Sequence, residues 1–285
     1  MSEPRPAPTV GQIVLGRRLQ ELRETAGLTL DQASKALRVN PATVRRMERA
    51  EVGLKLLYVE KLLQTYGIAG RELEDFLKLA EEANKPGWWQ PFRDVLPEWF
   101  SIYVSLEGAA RLIRGYEPHF VPGLLQTEDY ARAVLRVGFP TSTPKELERR
   151  IALRMERQEL LRAPGGTRLW MVLEEAVLRR PVGGRSVMHA QLERLIEATH
   201  QPNVTIQIVP TAGDPHPGMF GPFQLFRFQI PELPDVVYTE SLTGSQYLDE
   251  RADVVAYLEA LDRMCAQAAP ASQTEDILGA VRKGI

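Results

Sequence analysis

The sequence predicts an all-α five-helix domain at its N-terminal side, followed by an α/β (α+β) domain built on a small sheet. Three observations carry that expectation. Between 12 and 84, apolar residues recur at helical spacing and no segment alternates with period two. Between 168 and 240, four short runs rich in Val, Ile, Phe and Leu are separated by helical stretches and by Gly- or Pro-rich turns. At 285 residues the chain has room for two domains, each with its own core.

Residues 1–9 are Pro-rich and are expected to be disordered. A helix over 12–26 turns Ile13, Leu15, Leu19 and Leu22 to one side and stops at Gly27. A short helix over 29–37 follows. Thr29 is its cap, with Gln32 at capping-box spacing. The next helix covers 41–50, with Asn40 as cap and Pro41 at the first helical position, where a missing N–H costs nothing. Ala33 and Leu37 of one helix can share a core with Val44 and Met47 of the other, which leaves Ala42, Thr43, Arg45, Arg46 and Arg49 facing outward. Two short helices around a tight turn, with arginines on the open face of the second, make a helix-turn-helix, and double-stranded DNA is its expected partner. Helices over 56–66 and 71–84 complete a domain spanning 10–84.

A connector over 85–104 comes next. Its Pro and Gly residues forbid one long helix, and Trp88, Trp89, Phe92, Trp99 and Phe100 are too apolar for a free linker. It is expected to pack on the second domain; a stacking platform for nucleic acid is the competing reading. The second domain is placed over 105–272. It is expected to hold a short extended piece at 116–121, helices over 127–137, 144–162, 187–199 and 249–268, and strands over 168–174, 204–210, 223–228 and 236–240. That makes a sheet of four or so strands.

Net charge is −2 with His neutral, so the chain as a whole is no basic coat for nucleic acid. Locally, Arg38, Arg45, Arg46 and Arg49 against Glu48 leave +3, and 70–82 carries −3, a dipolar arrangement that suits a small DNA reader. Cys265 is the single cysteine, so neither an intrachain disulfide nor a cysteine zinc site can form. No signal-peptide core and no membrane-length apolar run is present, and a cytoplasmic, nucleoid-associated protein is expected.

An enzyme is the competing class. The four histidines are His119, His189, His200 and His216. Glu117 with His119, Asp214 with His216, or Glu174 with Glu175 could supply ligands or an acid pair, yet none has the spacing of a metal motif such as HExxH. Asp214-Pro-His-Pro-Gly reads as a turn, and consecutive Glu174 and Glu175 at a strand end point opposite ways. No catalytic residue, cofactor or metal is expected.

The stretch 28–48, LTLDQASKALRVNPATVRRME, resembles the DNA-binding domain of phage-repressor-like regulators of the xenobiotic-response-element family. Ser34 stands at that family's small position and Val44 at its branched one. The resemblance implies an ion pair between Arg23 and Glu48. Two positions depart from the family pattern. Arg38 replaces the turn glycine and would need left-handed backbone, and Leu30 stands where Gln is common. The second half, with VPGLLQTEDYARAV, RMERQELL, LEEAVLRRPVGG, NVTIQIVP and VVYTES, is similar to the C-terminal domain of actinobacterial WhiJ-like regulators. That resemblance implies a transcription factor controlled through this domain by a small, separately encoded partner protein.

The expected reading is therefore a repressor that binds a pseudo-palindromic operator as a homodimer. Thr29, Asn40, Pro41, Ala42, Thr43, Arg45, Arg46, Arg49 and Lys55 would meet DNA. Ala42, Thr43 and Arg46 would lie nearest base edges, and Arg46 would read guanine. A small-molecule-sensing repressor is the alternative, and a metal-dependent enzyme a remote one.

Overall fold

The computed structural model describes residues 8–85, 87–163, 165–228, 234–242 and 244–285. Two compact units appear among them, the first formed by 8–93 and 97–109, the second by 94–96, 110–228 and 234–285.

The first unit contains α1 (Val10–Thr25), α2 (Leu30–Leu37), α3 (Pro41–Glu48), α4 (Leu56–Thr65), α5 (Gly70–Ala83) and α6 (Glu98–Ala109). Residues 1–7 lie outside the described residues, but Thr9 is ordered by function: it caps α1, and its hydroxyl donates to Ala83 O at 2.8 Å. Leu15, Leu19, Ala33, Val44, Met47, Val59, Leu62 and Leu63 form the core, with Leu37 partly buried against it. Gly16 sits where α1 passes the end of α3. A Cβ there would meet Glu48 O at 2.5 Å and Met47 O at 2.8 Å, so a larger residue would push the two helices apart.

A connector is expected over 85–104. Residues 97–109 group with the first unit, and 98–109 are helical. Val10 N–H, at the start of α1, donates to Ser105 Oγ at 2.8 Å, and this uses a backbone donor that α1 cannot satisfy itself. Trp89 is buried, Trp88 meets it edge-on, and Phe100 stacks on Tyr103 at 4.8 Å. These ring contacts join residues of the same segment, and the two compact units divide between Ala109 and Ala110.

The second unit contains β1 (Ala110–Glu117), α7 (Glu128–Gly138), α8 (Pro144–Glu156), α9 (Glu159–Arg162), β2 (Arg168–Glu174), α10 (Glu175–Arg179), α11 (Arg185–Thr199), β3 (Val204–Val209), β4 (Phe223–Phe228), β5 (Val236–Ser241), β6 (Gly244–Leu248), α12 (Arg251–Gln267) and α13 (Thr274–Gly284). The sheet has six strands in the order β3-β2-β1-β4-β5-β6. β1, β2 and β3 are parallel, and β4, β5 and β6 add in antiparallel steps. The chain fills one side of β1 first and then crosses to the other.

Several expectations are corrected here. Of the extended piece placed at 116–121, only Tyr116 and Glu117 are strand; they end β1, an eight-residue strand in the middle of the sheet that begins at Ala110. The single helix expected over 144–162 breaks after Glu156. Arg157 and Gln158 are buried at the break, and Gln158 Nε2 donates to Gly123 O and Gln126 O at 3.1 and 2.7 Å. The side chain adds a donor to these loop carbonyls, Gly123 O also accepting from Gln126 N–H, which favours turning the chain there. β6 and α13 are additions. On one face of the sheet, Tyr116, Val172, Phe223, Leu225 and Val237 pack against Val254, Leu261 and Met264 of α12. No helix among the described residues is long and apolar enough to cross a membrane.

Candidate nucleic-acid interface

The turn between α2 and α3 is closed by unusual backbone. Arg38 adopts φ 54° and ψ 42°, the left-handed region, while its N–H donates to Lys35 O and Val39 N–H donates to Ser34 O. These two bonds satisfy the last carbonyls of α2 and redirect the chain. The strain that Gly would avoid is borne by an exposed arginine. The same device ends α3. Ala50 has φ 55°, its N–H donates to Met47 O, and Glu51 N–H donates to Arg46 O. The recognition helix therefore ends at Glu48, two residues before the expected Ala50.

Asn40 caps α3 with its side-chain oxygen accepting from Ala42 N–H at 2.9 Å, and Pro41 takes the first helical position. Thr29 caps α2 in a complete capping box with Gln32. Both cap side chains are exposed, Asn40 at the turn and Thr29 at the start of α2. Val44 and Met47 are buried in the core, which fixes the roll of α3. Ala42, Arg45, Arg46 and Arg49 are then exposed, and Thr43 is half-exposed. Lys55, exposed at the start of α4, has its ammonium 5.5 Å from the centre of the Tyr58 ring. Leu30 is half-buried against the core, so at this position the chain has exchanged a surface amide for packing.

Arg23 and Glu48 lie under this surface. Arg23 Nε donates to Glu48 Oε1 at 2.7 Å and Nη2 donates to Oε2 at 3.0 Å, a two-pronged pair with both residues under 9 % exposed. Arg23 Nη1 also donates to Leu28 O at 2.9 Å, which ties the pair to the loop before α2. The hydrogen bonds it donates to Glu48 hold the Arg23 guanidinium above its ordinary pKa. Because Glu48 is turned inward and already paired, it does not offset the outward arginines. The exposed face carries Arg38, Arg45, Arg46 and Arg49, and Glu51 stands 3.8 Å from Arg46. Both of those side chains are about half exposed, so the contact is weak and can be exchanged for a base edge.

In the second unit, the acidic and imidazole groups separate into pairs. Glu174 Oε1 accepts from Tyr116 OH at 2.7 Å and lies 2.9 Å from His216 Nε2. His216 Nδ1 is buried with no partner among the described residues. Glu175 engages Arg179 and Thr211 N–H instead, so the neighbouring carboxylates have separate partners. His119 stands beside Glu117, His189 beside Glu193 and His200 beside Glu275. No group of three or more His, Cys, Asp or Glu that could hold a metal ion occurs among the described residues. Burial pushes the Glu117 carboxyl up to about 7, with Glu240 adding repulsion, against two backbone N–H groups that favour its charge. The buried tyrosine–glutamate–histidine group is what sequence reasoning missed: the three residues are far apart in the chain, and the only signal was the Pro-flanked His216.

A family model described as a helix-turn-helix domain matches residues 14–76, and one described as a domain of unknown function (DUF5753) matches residues 100–280. No curated protein and no solved structure matches the chain. The helix-turn-helix domain supports a DNA-binding transcription regulator. With more than half of its length covered by the second model, the chain belongs to the DUF5753 family and carries its family domain behind an N-terminal helix-turn-helix.

Proposed function

We propose that the chain is a sequence-specific repressor that reads a pseudo-palindromic operator as a homodimer, with α3 in the major groove. The observation that carries this reading is the pairing of one buried and one exposed set on a single short helix. Val44, Met47 and the Arg23–Glu48 pair lock α3 in place, and Ala42, Thr43, Arg45, Arg46 and Arg49 are left facing outward. Asn40, Pro41 and Thr29, at the caps, and Lys55, at the next helix start, lie where phosphates would flank that helix. One such unit covers only a few base pairs, so two copies about one helical turn apart are required.

Control is assigned to the second unit, with a small, separately encoded partner protein as effector, as in the WhiJ-like regulators this half resembles. The reading has no catalytic step: Glu174, Tyr116 and His216 serve as a buried structural group. A metabolite effector is the second reading, and a groove of about 570 Å³ in the second unit favours it. The test is selection from random duplex DNA with the full chain. A two-fold symmetric site bound by two chains supports the proposal. Binding at equal affinity to all duplexes, or one chain per site, contradicts it. Adding the purified partner should then change operator affinity; the coupling expected is about 1–3 kcal/mol.

A further inference from the structure

The six-stranded sheet has two outer strands, β3 and β6, and the chain treats them differently. β3 is covered by the chain's own 269–274 segment. Ala269 N–H donates to Ile208 O at 2.9 Å, and the Thr274 hydroxyl donates to Ile206 O at 2.6 Å, so two alternate carbonyls of that strand have donors from outside the sheet. β6 closes the other side, and no strand lies beyond it among the described residues. An open edge invites pairing with another chain, and proteins that avoid this use Lys, Pro, a bulge or a cover. GSQYL carries no charge and no Pro, and its register with β5 runs without a bulge.

The residues of β6 fit a second copy of themselves. Antiparallel pairing over all five residues sets a two-fold axis at Gln246. Gly244 then stands opposite the second copy's Leu248, Ser245 opposite its Tyr247, and Gln246 opposite its Gln246. Each bulky residue meets a small one, and the two exposed amides at the axis can hydrogen-bond to each other. Charge is accommodated as well. Across the joined sheets one row would run Glu240, Ser245, Tyr247, Tyr238, and the row on the opposite face Thr239, Gln246, Gln246, Thr239. No row of β5 and β6 opposes two charges. A five-residue ladder is small beside the roughly 1,000 Å² of a specific interface, but more apolar surface adjoins it. Phe220, which walls the groove of about 570 Å³ together with Gly244, Ser245 and Gln246, is 98 % exposed. Leu242, in the turn that leads into β6, is fully exposed. Covering these side chains removes apolar surface from water.

We infer that β6 pairs antiparallel with β6 of a second copy of this chain, joining two sheets edge to edge about a two-fold axis at Gln246. The inference rests on the homodimer of the proposed function and gives that homodimer an interface. A strand lent by another protein is the competing occupant. The test is sedimentation of the full chain at micromolar concentration, free and on its selected operator, with the parent beside Gln246→Lys and Gln246→Glu. Gln246 is exposed, so both variants should keep the parent's unfolding midpoint. Each variant alone should dissociate more readily than the parent, by about fivefold, because the axis sets like charges directly opposite each other. An equal mixture of the two variants should regain the parent's affinity or exceed it, since opposite charges then meet at the axis; a residue that only supported the fold would not be rescued by mixing. A parent dimer that both variants leave unchanged, or a mixture that regains nothing, would overturn the inference and leave the homodimer standing on another surface. A parent that is monomeric both free and on the operator would overturn the homodimer reading and the inference together. A dimer unchanged in Gln246→Lys that has lost binding of a partner protein would give the edge to that partner's strand, and would likewise overturn the inference.

Discussion

Arg23 and Glu48 show why a charge pair can be kept inside a small helical domain. Each is buried, and each uses the other's full hydrogen-bonding geometry, so neither could be lost alone without leaving an unpaired charge. Replacing either residue with Ala should destabilise the first unit by about 3–5 kcal/mol, and replacing both should cost less than the two single losses combined. Thermal or urea unfolding of the four variants measures this, and a coupling near zero would reduce the pair to a surface contact. Glu117 makes a second, opposite case. Its carboxyl is held at about 7 against an ordinary 4.5, so the folded chain holds this proton more tightly than the unfolded chain does. Its contribution is complete below pH 4.5 and is lost as pH rises towards 7. Glu117→Gln, which keeps an acceptor for His119 N–H, should match the parent at pH 4.5 and exceed it at pH 8, by roughly 2–3 kcal/mol. Unfolding curves at the two pH values check this, and equal stabilities at pH 8 would contradict it.

Helices and strands differ in how far the residues announced them. α2 and α3 were legible because each carries its own signals, Thr29 with Gln32 and Asn40 with Pro41, and these are the caps found. β2 and β4 were legible from short β-branched and aromatic runs between turns. β1 was not. The chain passes from α6 at Ala109 straight into β1 at Ala110 with no Pro, Asn or Asp to mark the change. What makes 110–117 a strand is pairing on both sides, to β2 and β4, and that information is spread over three segments. β6, GSQYL, lacks the apolar alternation of a strand and is defined by its pairing with β5. The left-handed Arg38 was readable from the turn it must make. Arg38→Gly should relieve its backbone and stabilise the first unit by about 1 kcal/mol, seen as a higher unfolding midpoint. A fall in the midpoint would mean that the side chain supports the turn.

In the proposed function, the two units divide the work between reading and control. The outward face of α3, proposed to meet DNA, was largely legible, since helical periodicity decides which side of α3 is buried, and Val44 and Met47 are buried as that periodicity requires. The inward turn of Glu48 came only from family resemblance, because spacing alone would have left it among the surface charges. The groove at the strand ends was not legible at all: its row of Phe223, Thr239 and Gln246 exists only once β4, β5 and β6 are in register.

The central claim is that α3 reads base edges, with Arg46 reading guanine through its paired donors. The most direct test is a binding titration of the parent and Arg46→Ala on the selected operator and on its single-base substitutions, all at one salt concentration. The account predicts a loss of about 1–3 kcal/mol on the operator and a relaxed preference at one base pair in each half-site, with preferences elsewhere unchanged. Equal affinity of the variant for the operator would contradict it, and so would a loss of the same size on every duplex, which would mark Arg46 as a phosphate contact.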